Sequence, residues 1–270
     1  MERTVLVTGA GSGIGLATAL ALARRGFRTV GGVRSAEKAR RLTDAAAAAG
    51  VRVETATLDV TDADGCARVI DTLRPWGLVN NAGFAAGGAI EDVDDAGARL
   101  ALETMVVAPM RLARLAVPHM RARGDGRIVN VSSVYGWETT PLTGWYQAAK
   151  HALEGLSDAL RVEVASSGVS VIVVQPGTVR TGIWRKPEAD AAQLQDSRYE
   201  EPYRRFLAAI RMARPIMSDA RWVAAKVARA ITVRSPRARY LVGYDAWLLA
   251  ALDHVPTAAR DRLVRRLLRL

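Results

Sequence analysis

A short apolar strand that runs into a glycine-rich turn and then into a helix is the feature that most restricts this fold. The strand is Thr4–Val7, the turn is Thr8–Gly15 (TGAGSGIG), and the helical pattern that follows stops at Gly26. Glycines at such a turn let the backbone approach a pyrophosphate, which the helix N-terminus then stabilises. The opening of the chain therefore predicts a dinucleotide-binding βα unit.

Strand-like and helical segments alternate along the rest of the chain. Further strands are predicted at Phe27–Val33, Val51–Leu58, Trp76–Asn80, Arg127–Ser132, Val169–Gln175 and Ala238–Val242. Helices are predicted at Ala36–Ala49, Asp62–Leu73, Ala96–Arg123 with an interruption near Pro109, Trp145–Ser167 and Ala220–Val233. Such repetition predicts one α/β domain over residues 1–270. Its doubly wound, Rossmann-like parallel sheet would carry helices on both faces and bind ligands at the carboxyl ends of its strands.

The composition argues against several other classes of protein. Half of the 270 residues are hydrophobic, enough for one sizeable core, yet no uninterrupted apolar run is long enough to span a bilayer. The formal charge of +11 comes from scattered arginines rather than from a basic run interleaved with aromatic residues, so nucleic-acid binding is not predicted. The chain enters its first strand without a signal peptide, and its single cysteine, Cys66, excludes an intramolecular disulfide. Both features favour a cytoplasmic location.

A tyrosine and a lysine four residues apart lie in the predicted helix Trp145–Ser167. Positions i and i+4 share a helix face, so the phenol of Tyr146 and the ammonium of Lys150 are expected side by side. A cation about 5 Å away favours the phenolate by roughly 3 kcal/mol at an effective dielectric of about 20, or about two pKa units. Tyr146 is thereby a candidate general acid or base, and Ser133 could hold a substrate oxygen beside it. The alternative is an ordinary surface pair, since this spacing is common on helices.

The end of the second predicted strand bears on the choice of nucleotide. A site for NAD usually carries an acid about 20 residues past the glycines, where it binds the ribose. Here residues 31–35 read GGVRS, and the next acid is Glu37. Because an arginine can pair with a 2′-phosphate, Arg34 favours NADP over NAD, with an exposed loop arginine as the alternative.

Taken together, these motifs resemble the short-chain dehydrogenases/reductases over about Thr4 to Thr181. The resemblance rests on Thr8–Gly15, Asp59-Val60, Asn80–Gly83, Ser133, Tyr146-x-x-x-Lys150 and Pro176-Gly177. It implies that Ser133 orients the substrate oxygen, that Tyr146 exchanges its proton, and that Lys150 binds the nicotinamide ribose and lowers the pKa of Tyr146. It also implies a cofactor site made of Thr8, Gly9, Ser12, Gly13, Ile14, Gly15, Arg34, Asp59, Val60, Asn81, Ala82, Gly83, Tyr146, Lys150, Pro176, Gly177, Val179 and Thr181.

The chain departs from this family at one catalytic position. Members usually carry an asparagine in the helix before the Arg127–Ser132 strand, and aligning on residues 106–109 places Met105 there. By resemblance, the asparagine side chain supports a local helix irregularity, and its carbonyl holds a water that links the lysine to solvent. Met105 keeps the carbonyl without the amide, which puts proton relay to solvent in doubt; simple core filling is the other interpretation.

A long segment, Thr178–Ser218, follows the strand that ends at Pro176-Gly177. Its scattered aromatic and proline residues show no single period, which favours a substrate lid. An apolar substrate pocket for a lipophilic ketone or alcohol is predicted from Trp137, Leu142, Trp145 and Trp184, with generic packing as the alternative. No metal site is assigned, because the spacing typical of metal ligands is missing around His119, His151 and His254.

The tail, Tyr244–Leu270, is amphipathic in two pieces separated by Pro256. Its final piece has one apolar face, made of Leu263, Val264, Leu267 and Leu268, with arginines mostly opposite. Three roles remain open: packing on its own domain, a subunit contact, or a membrane-surface helix. The tail and the motif order also resemble, more weakly, the steroid and retinoid dehydrogenase branch.

These observations favour an NADP(H)-dependent oxidoreductase that interconverts an alcohol and a carbonyl of a small, lipophilic molecule. The family resemblance further implies a homodimer or homotetramer. A non-catalytic NADP-binding sensor or scaffold is the alternative, motivated by Met105 and the basic tail. An isomerase or dehydratase that uses the cofactor transiently is a weaker option.

Overall fold

A single parallel sheet organises the molecule. The computed structural model describes residues 3–184, 197–247 and 256–270, with the side chain of Trp184 outside this part. The strands are β1 (Thr4–Thr8), β2 (Arg28–Val33), β3 (Glu54–Thr57), β4 (Gly77–Asn80), β5 (Gly126–Val131), β6 (Val169–Pro176) and β7 (Arg239–Val242). They are all parallel, in the order β3-β2-β1-β4-β5-β6-β7. The order reverses between β1 and β4, where such sheets open a ligand crevice. The predicted α/β, Rossmann-like fold is confirmed.

Helices cover both faces of this sheet. They are α1 (Gly13–Ala23), α2 (Ala36–Ala48), α3 (Ala63–Leu73), α4 (Asp95–Leu102), α5 (Ala108–Arg123), α6 (Gly144–Glu163), α7 (Glu200–Ala213), α8 (Ala220–Thr232) and α9 (Thr257–Leu268). Because side chains alternate along a strand, Val5 and Val7 of β1 join a core cluster with α1, α2 and α8, whereas Leu6 joins another with α3 and α5. The sheet is therefore buried on both faces, as parallel sheets generally are.

Several element boundaries differ from the sequence prediction; the helix predicted at Trp145–Ser167, for example, spans Gly144–Glu163. The third strand is shorter than predicted, at Glu54–Thr57 instead of Val51–Leu58. The long helix predicted at Ala96–Arg123 is divided into α4 and α5 by a π-helical turn, Glu103–Val107. Pro109 explains this break, since it has no N–H to donate to the carbonyl of Met105 four residues earlier.

The two ends of the predicted lid segment pair with each other. Val179 and Ser218 form an isolated parallel bridge, and the amide of Ser218 donates to the carbonyl of Thr178 at 3.0 Å. Between these ends lies α7, while residues 185–196 fall outside the described residues. Its role as a lid stays a prediction.

Helix α9 forms most of the described part of the tail and lies against α7. Arg205 on α7 donates to the carbonyl of Leu267 at 3.4 Å. The predicted apolar face is only partly covered, with Val264 half-buried but Leu263 58% and Leu267 61% exposed. Residues 248–255 lie outside the described part. In the three described ranges, no helix has both the length and the apolarity needed to cross a membrane.

Candidate active site

A cleft of about 460 Å³ opens at the carboxyl ends of β1, β2 and β4. Many predicted cofactor residues line it, namely Gly9, Ser12, Gly13, Ile14, Arg34, Asp59, Val60, Asn81, Ala82, Gly83, Tyr146, Lys150 and Thr181. The structure thus brings together residues from four separate sequence motifs at one edge of the sheet.

The glycine-rich turn forms part of the wall of this cleft. Gly9 and Gly13 have φ angles of +66° and +53°, which favour glycine. Gly15 is required for a different reason, because a Cβ there would overlap the carbonyl oxygen of Gly9 and lie 2.5 Å from the Asn81 side-chain nitrogen. The turn and the loop after β4 are therefore in direct van der Waals contact.

Thr8 supports the wall of the cleft through hydrogen bonds with the loop after β4. Its hydroxyl accepts hydrogen bonds from the backbone amides of Asn81 and Ala82, each at 3.0 Å, and the Asn81 side chain donates to the carbonyl of Thr8 at 2.9 Å. Thr8 and Gly15 were predicted as cofactor residues, but neither is among the residues that line the cleft. They hold the cleft wall in place.

Two cations stand at the end of the cleft that β2 and α2 form. Arg34 is exposed at the end of β2, and Lys38 in the first turn of α2 lies against Gly11. The sequence prediction named Arg34 but missed Lys38. The sequence contained a signal for Lys38. Acidic residues are favoured in the first turn of a helix, and a lysine there opposes the helix dipole.

A second cavity adjoins the cleft and shares Tyr146 with it. Its lining includes Ile14, Ala85, Ala86, Ser133, Val134, Tyr135, Tyr146, Pro176, Gly177, Val179, Thr181 and Ile183. The predicted residues at the nicotinamide end, Pro176, Gly177 and Val179, therefore face this cavity and not the cleft. Its position beside Ser133 and Tyr146 makes it the candidate substrate cavity.

Three of the four residues predicted to form the apolar pocket do not line this cavity. Trp137, Leu142 and Trp145 are absent from its described lining, and the side chain of Trp184 is outside the described residues. Leu142 instead packs in a separate cluster with Ala89 and Tyr203. Trp145 directly precedes Tyr146, so it lies about 100° around the helix from it. Nearness in sequence was a poor guide to side-chain direction.

Ser133 lies just after β5, and Tyr146 and Lys150 lie on α6. The Ser133 hydroxyl accepts from the amide of Tyr135 at 3.2 Å, and the Lys150 ammonium donates to the carbonyl of Val131 at 2.9 Å. Tyr146 packs edge-on against Tyr135, with 6.2 Å between ring centroids, and its ring centroid is 5.7 Å from the Lys150 nitrogen. The structure brings the three residues together, while their catalytic roles stay a prediction.

The ionisation of Tyr146 differs from the sequence expectation. Burial raises the pKa of Tyr146 to about 12, and its interaction with the Ser133 hydroxyl lowers it by less. Burial also lowers the pKa of Lys150 to about 8, against the opposing effect of Glu154. The expected downward shift of Tyr146 is thus wrong for this arrangement, because the loss of water around the phenol outweighs the stabilisation of its anion. A neutral phenol at pH 7 is suited to donating a proton.

These two pKa values give a prediction for the pH profile of carbonyl reduction. Tyr146 stays protonated throughout the neutral range, whereas Lys150 loses its charge as pH rises through about 8. We expect kcat/KM for reduction to be level below pH 8 and to fall above it. Glu154→Gln removes the carboxylate that raises the Lys150 pKa, so the fall should move to lower pH.

A matched control for this profile lies on the same helix. Asp158, like Glu154, binds Arg239, so Asp158→Asn disturbs the same arginine without being a cause of the Lys150 shift. Profiles measured for the parent and both variants should show displacement with Glu154→Gln alone. Equal displacement of the pH profile in both variants would contradict the assignment of the fall to Lys150 and of its shift to Glu154.

Met105 occupies the π-helical turn that the family resemblance assigns to asparagine. It is 1% exposed, lines the cleft, and packs near Gly83. The irregular turn is present without an amide side chain, since Pro109 already removes one helical hydrogen bond. The backbone irregularity therefore does not depend on asparagine here.

A buried polar network fixes helix α6, which carries Tyr146 and Lys150. The side chain of Asn80 donates to Asn130 at 2.9 Å, and Asn130 donates to the Ser157 hydroxyl at 2.8 Å. Buried groups of this kind are costly to leave unpaired. The network ties β4 and β5 to α6 and so fixes the helix against the sheet edge.

The comparison with known families decides the identity of this fold. A family model for short chain dehydrogenases matches residues 3–192. The chain belongs to the short-chain dehydrogenase/reductase family. It is therefore an oxidoreductase that acts on CH–OH groups, and the family resemblance noted in the sequence is confirmed. Members of this family act on small molecules.

Individual relatives agree with this assignment. The uncharacterized oxidoreductase YbbO of Escherichia coli (strain K12) is 31% identical over 268 residues, covering 98% of this chain and 95% of that protein. Retinol dehydrogenase 16 of Mus musculus is 28% identical over 285 residues, covering 97% and 88%. It is consistent with the weaker likeness to the steroid and retinoid branch. The solved structure of a short-chain dehydrogenase from Sphingobium yanoikuyae in complex with NADPH has a TM-score of 0.74 at 28% identity, covering 97% of this chain and 94% of that one.

Proposed function

We propose that this short-chain dehydrogenase/reductase uses NADPH to reduce the carbonyl group of a lipophilic small molecule to an alcohol, and catalyses the reverse reaction at high pH. The observation that carries the proposal is the shared position of Tyr146. Its side chain borders both the cleft with the glycine-rich turn and the cavity that contains Ser133. A proton donor at this junction can reach a substrate oxygen beside a bound dinucleotide.

The residues of the cleft fit NADP. The glycine-rich turn leaves no room for a Cβ at Gly15, and α1 begins at Gly13 with its first amides at the cleft, as anion sites at helix N-termini require. Arg34 and Lys38 supply two positive charges for a 2′-phosphate. When bound, the nicotinamide supplies the hydride for reduction. The NADPH in the Sphingobium yanoikuyae relative supports the same preference.

The chain's own residues would handle the proton and the orientation of the substrate. Ser133 holds the carbonyl oxygen through its hydroxyl, and Tyr146 donates a proton to that oxygen as negative charge develops on it. Lys150, held by the carbonyl of Val131, anchors the nicotinamide ribose and keeps a positive charge near the phenol. In the oxidising direction the phenol must first ionise, so alcohol oxidation should rise with pH.

The lipophilic character of the substrate is inferred from the wall of the cavity. The wall presents mainly carbon surface around the hydroxyl groups of Ser133 and Tyr146. Its apolar residues include Ala85, Ala86, Val134, Val179 and Ile183. Apolar walls with a few convergent polar groups are typical of sites for small apolar ligands. The name of the mouse relative, a retinol dehydrogenase, supports a lipophilic alcohol or carbonyl.

Charge removal at the β2 end of the cleft tests the nucleotide preference. Arg34→Ala and Lys38→Ala each remove one cation, and a charged hydrogen bond is worth about 1.5–3 kcal/mol, or roughly ten- to a hundredfold in KM for NADPH. KM for NADH should change by less than about twofold, because NADH has no 2′-phosphate. Arg41→Ala, an exposed arginine on the same helix, is the control. Equal losses for both nucleotides would contradict the 2′-phosphate assignment.

The proposed activity is tested by following NADPH oxidation with aliphatic, aromatic and steroidal ketones. Turnover that improves with the apolar size of the ketone is the expected result. Tight NADPH binding without turnover on any carbonyl would instead support the sensor or scaffold.

We also propose that the protein is a cytoplasmic homodimer or homotetramer, on the basis of the sequence and the family.

A further inference from the structure

A buried carboxylate lies in the segment that forms one wall of the substrate cavity. We define this active-site loop as Ser133–Thr143; it follows β5 and leads into α6. Glu138, in its middle, has a side chain only 4% exposed and accepts a hydrogen bond from the amide of Thr139 at 2.9 Å. An ionised carboxylate in such a place is costly unless a positive charge accompanies it.

The positive charge comes from the far end of the chain. Arg260, on α9, places one guanidinium nitrogen 3.2 Å and 3.1 Å from the two carboxylate oxygens of Glu138. The two residues are 122 positions apart in sequence, and the arginine side chain is 25% exposed. The ion pair therefore joins the C-terminal helix directly to the active-site loop.

Helix α9 is also attached to α7. Arg205 of α7 donates to the carbonyl of Leu267, and Arg269, directly after α9, lies 3.9 Å from Glu201 of α7. Helix α7 is in turn held to the segment that follows β4, because the Tyr203 hydroxyl donates to Asp92 at 2.8 Å. Ala85 and Ala86, earlier in that segment, line the substrate cavity. Arg260 thus binds Glu138 from a helix that is anchored elsewhere.

We infer that Arg260 is a positioning residue, which fixes the active-site loop through Glu138 and thereby sets the shape of the substrate cavity. This inference rests on the proposed carbonyl reduction. Within the loop, Ser133, Val134, Tyr135 and Thr143 line the substrate cavity, whereas none of its residues lines the nucleotide cleft. Loss of Arg260 leaves a buried charge unpaired and draws the loop towards water. Carbonyl binding should therefore suffer while NADPH binding does not.

The chain offers a matched control and a rescue. Arg262 lies two residues away on α9 and is exposed, so Arg262→Met removes the same charge from the same helix without touching Glu138. In the double variant Glu138→Gln with Arg260→Met, no buried charge remains to be paired. The double variant should recover most of the loss, as expected for a coupled pair. A general loss of helix stability would not be recovered in this way.

The decisive experiment compares these variants by steady-state kinetics in the full-length enzyme. Arg260→Met should lower kcat/KM for the ketone on the order of tenfold, mainly through KM, with NADPH binding within about twofold. The double variant should recover most of this loss, and Arg262→Met should match the parent. An Arg260→Met variant equal to Arg262→Met, or an unrecovered loss that also affects NADPH binding, would overturn the inference.

A second measurement keeps the inference independent of the proposed function. Amide hydrogen exchange, followed by mass spectrometry, reports on the active-site loop whether or not a substrate is known. Arg260→Met should speed exchange in peptides covering residues 133–143 and leave residues 8–15 unchanged. A parent without turnover would refute the proposed function alone, whereas unchanged exchange in the loop would refute the positioning role of Arg260.

Discussion

Replacing Tyr146 with phenylalanine should lower kcat for ketone reduction about a thousandfold, because general acid catalysis contributes roughly 10²–10⁴-fold and no other residue takes its place. The phenyl ring keeps its packing against Tyr135, so the fold and the cleft should persist. NADPH binding, measured by fluorescence titration, should remain within about twofold of the parent. A large fall in turnover with retained cofactor binding would locate the defect in proton transfer.

Tyr135 provides the comparison for this variant. It lies in the same cavity and its ring contacts Tyr146, but its hydroxyl interacts with Thr140. Tyr135→Phe therefore should lose less than about tenfold, which separates the acid from a neighbouring phenol. If Tyr146→Phe kept near-parent turnover, or if both variants fell equally, Tyr146 would not be the proton donor.

Gly15→Ala should weaken NADPH binding, with a smaller effect on the rest of the fold. Its Cβ would overlap the carbonyl oxygen of Gly9 and crowd the Asn81 side chain, so the glycine-rich turn must move. Overpacking of this kind costs about 1–3 kcal/mol, which raises the Kd for NADPH by roughly ten- to a hundredfold when the strain falls on the binding turn. Isothermal titration of NADPH measures this change directly.

A second glycine shows that the effect belongs to the site and not to the substitution. Gly155 lies within α6, and a Cβ there meets nothing within 4 Å. Gly155→Ala should stabilise the protein by about 0.5–1 kcal/mol, visible as a higher Tm, and leave the Kd for NADPH unchanged. NADPH binding that is weakened in Gly155→Ala would contradict the proposed role of the turn. NADPH binding that is unchanged in Gly15→Ala would contradict it as well.

Much of the fold was predictable because it depends on local patterns. The turn Thr8–Gly15 and the alternation of apolar strands with helices are repeated signals, and a parallel sheet is the arrangement that satisfies them. The same reasoning predicted that Ser133 and Tyr146 would lie close together. Ser133 follows a strand and Tyr146 lies near the start of a helix, both at the same edge of the sheet. These features need only sequence spacing and chain direction.

The remaining features depend on contacts that spacing does not encode. Trp145 lies beside Tyr146 in sequence, yet helix geometry turns it away from the cavity. The raised pKa of Tyr146 depends on how completely the surrounding chain excludes water, which a pair of residues cannot report. The pairing of Glu138 with Arg260 joins residues 122 positions apart, so only the folded chain reveals it.

The central claim, direct reduction of a carbonyl beside Tyr146 by NADPH, is tested most directly with NADPH that carries deuterium on the transferable face of nicotinamide C4. A ketone that supports turnover should be reduced, and the product alcohol analysed by mass spectrometry and NMR. The predicted result is one deuterium on the carbinol carbon for each NADPH consumed, with the rate of transfer about a thousandfold lower in Tyr146→Phe. Consumption of NADPH without deuterium at that carbon, or equal transfer in Tyr146→Phe, would contradict it.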